Sequence, residues 1–169
     1  MTLQPLNLDR LDDSAVRLFG KDWALFTAGS LVKWNTMTIA WGGLGTLWNR
    51  PVCWTYIRPT RHTFEFAEQA ESFSLCFFEE TWRPALQICG TKSGREIDKA
   101  ATTGLRPAAA ESGTVYFEQA RLVLDCRKIY SQDLDPSRFL DPDIEKHYPL
   151  RDYHRLYIGE IRNAWSLSV

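Results

Sequence analysis

Six consecutive residues, Arg58-Pro59-Thr60-Arg61-His62-Thr63, put two guanidinium groups and two hydroxyls at the end of a β-prone run. Guanidinium groups form bidentate, charge-assisted bonds with phosphate, and Pro59 stiffens the turn that would aim them. With Thr63 opening a helix, the unpaired N–H groups of the first turn add to such an anion site. Upstream, residues 35–41 alternate, so Asn35, Met37 and Ile39 share one face of a strand and Thr36, Thr38 and Ala40 the other. Gly42, Gly43 and Gly45 then remove bulk and allow close backbone approach. A flat apolar group could lie along the first stretch while the second grips an anion. Each half alone also reads as ordinary structure, a strand with a flexible turn or two solvated arginines. Their conjunction points to a ligand.

A phosphorylated ring cofactor has this profile, and FMN fits it. The strand backbone would offer N–H and C=O groups to the pyrimidine edge, with Asn and Thr side chains adding bonds. Other motifs carry less. G-T-K-S-G at residues 90–94 is not a P-loop, because G-x-x-x-x-G-K-[ST] is absent. The pair S-L-V-K and K-S-G lacks the S-D-N element of penicillin-binding signatures, and its Ser30 opens a strand rather than a helix. His154 reads either as a surface histidine at a strand start or as a group near the ring that places a substrate or relays a proton. His62 adjoins the anion site, and His147 falls in a loop. No convincing side-chain nucleophile stands out, and no catalytic residue is assigned.

These residues need a scaffold. Helical patterns cover residues 12–19, with Asp12 or Asp13 as N-cap, residues 63–70 with Thr63 as cap, residues 81–89, and residues 97–103 ending at Gly104. Strand patterns cover residues 23–28, 35–41, 52–57, 73–78, 115–120, 121–130 and 153–161, the second ending in the glycine run. Residues 131–149 are rich in Asp and Pro and read as a mobile loop. Many short strands with a few short helices predict a mainly β fold, a barrel with helical insertions. The 169 residues suffice for one domain, 1–169, with a sizeable core.

A net charge of -1 excludes a general nucleic-acid surface. The N-terminus has no secretory pattern and no run is long enough to span a membrane, which leaves the cytoplasm as the expected compartment. Cys53, Cys76, Cys89 and Cys126 are scattered in apolar surroundings with no metal spacing to any histidine, so they read as reduced core residues and no metal site is assigned.

The order N-x-M-T, W-G, W-x-x-P, R-P-T-R-x-T and G-T-K-S-G-R-x-x-D-K, followed by V-Y-F-E-Q-A-R-L-V-L-D-C-R and Y-H-R-L-Y-I-G-E-I, resembles the flavin reductase-like, flavoredoxin-type family of FMN-binding split barrels. The resemblance runs from about Ala15 to Ile161. It implies a six-stranded antiparallel split barrel of Greek-key type, a homodimer with FMN near the subunit interface. Carried onto this chain, it places Asn35, Met37, Thr38, Ala40 and Trp41 along the isoalloxazine ring, with Tyr56 and Ile57 flanking it. Arg58, Arg61 and Thr63 would hold the phosphate, and Gly90 to Gly94, with Lys92 and Ser93, would form the facing loop. Lys99 is a further candidate, and His154 a substrate-side one. Trp41 departs from the smaller residues common at that place in the family. The implied activity is NAD(P)H-dependent flavin reduction. The alternative is an electron carrier with tightly held FMN, no nicotinamide site and a redox protein as partner.

Overall fold

The computed structural model describes residues 2–167. Eight strands form one antiparallel sheet: β1 (Leu3–Pro5), β2 (Ala24–Ser30), β3 (Lys33–Ile39), β4 (Gly42–Leu47), β5 (Arg50–Ile57), β6 (Ser72–Phe77), β9 (Leu122–Asp133) and β10 (Arg155–Leu167). A separate pair, β7 (Pro107–Ala109) and β8 (Val115–Phe117), lies beside it. Among the described residues there are four α-helices: α1 (Ala15–Arg17), α2 (His62–Gln69), α3 (Arg83–Thr91) and α4 (Lys99–Thr103).

The sheet runs β3-β2-β6-β9-β10-β5-β4, with β1 added to the far end of β10. Its two end strands, β3 and β4, are consecutive in the chain yet are not hydrogen-bonded to each other. The barrel is therefore split at residues 40–41, the link between them. Six strands of the sheet match the expected barrel; the other two are β1 and β4.

β4 corrects the reading of the glycine run as a strand breaker. Gly42, Gly43 and Gly45 pair with Thr55, Trp54 and Val52 of β5. A methyl on Gly43 would run into the Trp54 indole, and one on Gly42 into the Phe19 ring. Glycine is used here to let large rings cross the sheet, not to end it. Trp48 and Asn49, with φ of 52° and 57°, make the left-handed two-residue turn that matches the twist of a β4–β5 hairpin.

Alternation sorts the apolar residues into two layers. Phe26, Phe73, Leu75, Leu124, Ile57 and Tyr157 fill the barrel, the first two stacked with centroids 4.8 Å apart. Their sequence neighbours Leu25, Cys76 and Val123 face outward and pack with Leu86, Cys89 and Phe117 of α3 and β8. β10 passes close over the inner layer because Gly159 has no side chain to meet Phe73 and Cys126. All four cysteines are buried and free, as expected, and Cys53 and Cys126 bring their sulfurs to 3.4 Å.

Several element ends differ from expectation for local reasons. The first helix is capped by Ser14, whose hydroxyl accepts from Arg17 N, rather than by Asp12 or Asp13, and it runs on as one π turn, Leu18–Asp22. α2 starts at His62, with Arg61 as the cap residue; Thr63 lies inside the first turn, where its hydroxyl is committed to Asn35. α3 continues through Gly90 to Thr91. The α4 end at Gly104, left-handed with φ of 75°, agrees with the sequence. Residues 131–133 extend β9, and the rest of the expected loop folds into 3-10 turns at Pro136–Arg138 and Pro142–His147. No helix among the described residues is long and apolar enough to cross a membrane.

Candidate functional site

Two cavities flank β3. The first, of about 290 Å³, lies at its start and is lined by Asn35, residues 60–63 of the turn into α2, residues 91–96 after α3, and Lys99 of α4. The second, of about 190 Å³, lies at the split and is lined by residues 37–41, Tyr56, Arg58 and His154.

The first cavity is cationic. Asn35 is buried on β3 and donates through Nδ2 to Thr63 Oγ1 at 2.8 Å, tying strand to helix start. Gly94 must be a glycine because a methyl there would collide with the Asn35 amide. Arg61 donates through Nη2 to the Gly90 carbonyl at 2.6 Å, fastening the turn before α2 to α3. Lys99 is 5% exposed and donates to the carbonyls of Thr36 and Cys89 at 2.6 and 2.9 Å. Burial pulls its pKa down to about 8, with Cys89 opposing the shift and Arg61 adding to it. Burial and the neighbouring Arg58 charge likewise lower Arg61. Lys92 and Arg95 add positive charge, the latter paired with Glu65. His62 Nδ1 is buried with no hydrogen bond; Glu65 Oε2 lies 3.4 Å away without bonding geometry. A buried, unpartnered nitrogen among cations on the rim of a helix start suits an anion.

The second cavity is aromatic. Trp41, 43% exposed, packs on His154 with centroids 4.8 Å apart and meets the His147 ring edge-on at 5.6 Å. Thr38 donates to the Leu86 carbonyl at 2.5 Å, and Gly90 packs on the Thr38 side chain, so α3 covers this length of β3. His154 is buried, and its Nδ1 lies 2.9 Å from the Tyr148 hydroxyl. Burial, then the Arg58 charge, push its pKa down to about 4 against the opposing pull of Asp152. Burial raises the Tyr56 hydroxyl.

The structure brings Asn35, Arg61, Thr63, Lys92, Ser93, Gly94 and Lys99 together at the first cavity, and Met37, Thr38, Ala40, Trp41, Tyr56 and His154 at the second. It separates the two arginines that the sequence pairs. Arg58 lines the second cavity, where Nη1 donates to Asp152 Oδ1 and Nη2 to the His147 carbonyl, both at 2.7 Å. Ile57 lines neither cavity; it is fully buried in the barrel core. Gly90 contributes its carbonyl to Arg61 from within α3 rather than from a loop. Two residues that the sequence did not single out also reach the site, Tyr148 from the end of the Asp- and Pro-rich stretch and Asp152 from just beyond it, where a lack of periodicity carries no signal for them.

A split antiparallel barrel with a cationic and an aromatic cavity along one end strand places the chain in the split-barrel class of folds. The chain belongs to the flavin reductase like domain family, whose pattern matches residues 23–168. Solved structures agree in fold. The flavoredoxin of Methanosarcina acetivorans is 22% identical with a TM-score of 0.68, covering 87% of this chain and 69% of its own. An FMN-binding domain of a flavin reductases-like enzyme from Shewanella baltica is 20% identical with a TM-score of 0.69, covering 97% and 76%. An FMN-binding protein from Thermus thermophilus with bound cyclohexenone is 19% identical with a TM-score of 0.67, covering 96% and 76%. Among curated proteins, none matches.

Proposed function

We propose that the chain binds FMN along β3 and acts as an NAD(P)H-dependent flavin reductase. The observation that carries this reading is the pairing of two unlike cavities on one strand. From Asn35 to Trp41 the strand and its link run about 20 Å at ~3.3 Å per residue, room for a ring at one end and a phosphorylated tail at the other. The residues present fit the group. Arg61, Thr63, Lys92, Ser93 and Lys99 would hold the phosphate, helped by His62, whose buried Nδ1 makes no hydrogen bond among the described residues. Met37, Thr38, Ala40, Trp41 and Tyr56 would hold the ring. Bound FMN would supply the two-electron chemistry, and the protein its orientation and electrostatics.

The protein's own contributions are specific. The Lys99 ammonium is held by two carbonyls, and as a three-proton donor it has one N–H left for an anion. Its burial makes that charge more effective than the same charge in water. α3 and the Trp41 indole shield the split, and neutral His154 offers a polar atom beside them. A nicotinamide would stack on the ring at the split, which requires no dinucleotide-binding fold of its own. The reading includes a homodimer, to which exposed Trp48 and Tyr130, in edge contact at 6.2 Å, offer apolar surface. A 19.5 kDa species in sedimentation with FMN still bound would count against that part.

The purified protein is expected to be yellow, or to take up FMN at micromolar concentration, and stopped-flow mixing with NADH or NADPH is expected to bleach it rapidly. A colourless protein that refuses FMN would end the reading altogether. Colour that persists with both nicotinamides and bleaches only with a reduced protein donor would replace the reductase with an electron carrier.

A further inference from the structure

Arg58 is the residue most displaced from its expected partner. It follows directly on β5, yet both arms of its guanidinium reach the stretch before β10, to Asp152 Oδ1 and to the His147 carbonyl. Its Cζ lies over the Tyr148 ring, 5.1 Å from the centroid. Tyr148 is 3% exposed, and its hydroxyl sits 2.9 Å from His154 Nδ1. A phenol is a stronger donor than acceptor and a neutral imidazole nitrogen a good acceptor, so the hydroxyl donates and Nδ1 carries no proton. The ring proton then resides on Nε2, which makes no hydrogen bond among the described residues, while His154 lines the cavity beside Trp41.

We propose that Arg58 and Tyr148 are positioning residues: they lock His154 in its Nε2–H tautomer and present that N–H to the cavity as a neutral donor for a carbonyl oxygen. The oxygen belongs either to the bound ring or to its electron acceptor, so this part rests on the flavin reading above. The role differs in kind from gripping phosphate. Arg58 has both arms engaged, and its charge over the Tyr148 ring strengthens the phenol as a donor. The groups facing the imidazole are Arg58 and Tyr56 from the end of β5, Trp41 from the link, and His147, Tyr148 and Asp152 from the stretch before β10. Burial and the Arg58 charge outweigh Asp152 and hold the ring neutral, at about 4. Burial raises Tyr148 despite Arg58, so the phenol keeps its proton.

The test has a spectroscopic arm that needs no cofactor. Long-range ¹H–¹⁵N spectra of the full-length ¹⁵N-labelled protein are expected to show one imidazole protonated only at Nε2 and unchanged from neutral pH down to about 5, below the ordinary histidine range. The signal is assigned by its loss in His154→Gln. Tyr148→Phe should release the ring into a mixture of tautomers. Arg58→Gln should move its titration up, while burial, the larger cause, still holds it below the ordinary histidine value. Wild-type spectra retained in both variants would overturn the proposal.

The kinetic arm separates the two oxygens. A roughly tenfold loss of kcat/KM for NADH oxidation, the scale of one hydrogen bond, is expected in Tyr148→Phe and in His154→Gln, with no further loss in the double variant. A rise in the FMN dissociation constant would assign the oxygen to the ring, and a rise in acceptor KM alone to the acceptor. Arg58→Gln that loses FMN while the His154 signals stay native would return Arg58 to the phosphate and overturn the inference. If no flavin binds at all, the reductase reading fails, and the tautomer spectra still decide the positioning claim.

Discussion

Lys99 offers the most quantitative test of the cationic cavity. Its pKa of about 8, against an ordinary 10.5, means the charged form is penalised by burial. At ~1.36 kcal/mol per pKa unit the penalty is about 3 kcal/mol in the ligand-free protein. The sign follows from proton counting. Between pH 8 and 10.5 the unfolded chain holds the proton and the folded chain has released it, so stability rises with pH across that window. Below about 8 both states are protonated and the penalty is constant. A bound phosphate reverses the preference, because it favours the ammonium. FMN affinity should therefore be flat below about pH 8 and weaken above it, by at most ~10-fold per pH unit for one coupled proton. Lys99→Met keeps the aliphatic stem and removes the charge. Urea denaturation of both proteins across pH 7 to about 10.5, together with FMN titrations by fluorescence, isolates the residue by difference. The wild type should gain up to about 3 kcal/mol relative to the variant on the alkaline side, and only its FMN affinity should bend near pH 8. Parallel curves for the two proteins would refute both the buried charge and its role toward an anion.

Three further outcomes follow from the same geometry. Arg61→Ala should weaken FMN binding by about 1.5–3 kcal/mol in calorimetry, the scale of a hydrogen bond to a charged group, and by more than Arg58→Ala does. Gly94→Ala would push a methyl into the Asn35 amide and break its bond to Thr63, so FMN affinity should fall while urea denaturation shows a loss of about 1–3 kcal/mol or less. Gly159→Ala would place a methyl against Phe73 and Cys126 inside the barrel, with an expected cost of about 1–3 kcal/mol or more in urea denaturation.

The chain's local chemistry was readable without a structure wherever one element sufficed. Of the alternating residues 35–41, residues 35–39 do lie in a strand with Met37 and Ile39 toward the core while 40–41 form the link at the split, and Gly104 does end α4 in the left-handed conformation. The motif order of the family could be read as well, since it depends only on sequence. Distances between elements could not. The R-P-T-R turn looked like one anion grip because its arginines are three residues apart, but the chain leaves β5 and enters α2 between them, and the guanidinium groups diverge to opposite cavities. The glycine run looked like a break because its partner, the Trp54 ring, lies on another strand.

Residue types and spacing thus determined the family and the strand on which the two cavities lie. Tertiary structure alone decided that Lys99 is buried against two carbonyls, that Arg58 serves the His154 side, and that Tyr148 and Asp152 belong to the site at all. The reason is physical. Backbone periodicity is imposed by neighbours a few residues away, whereas desolvation, charge pairing and tautomer depend on groups that meet only when distant segments pack.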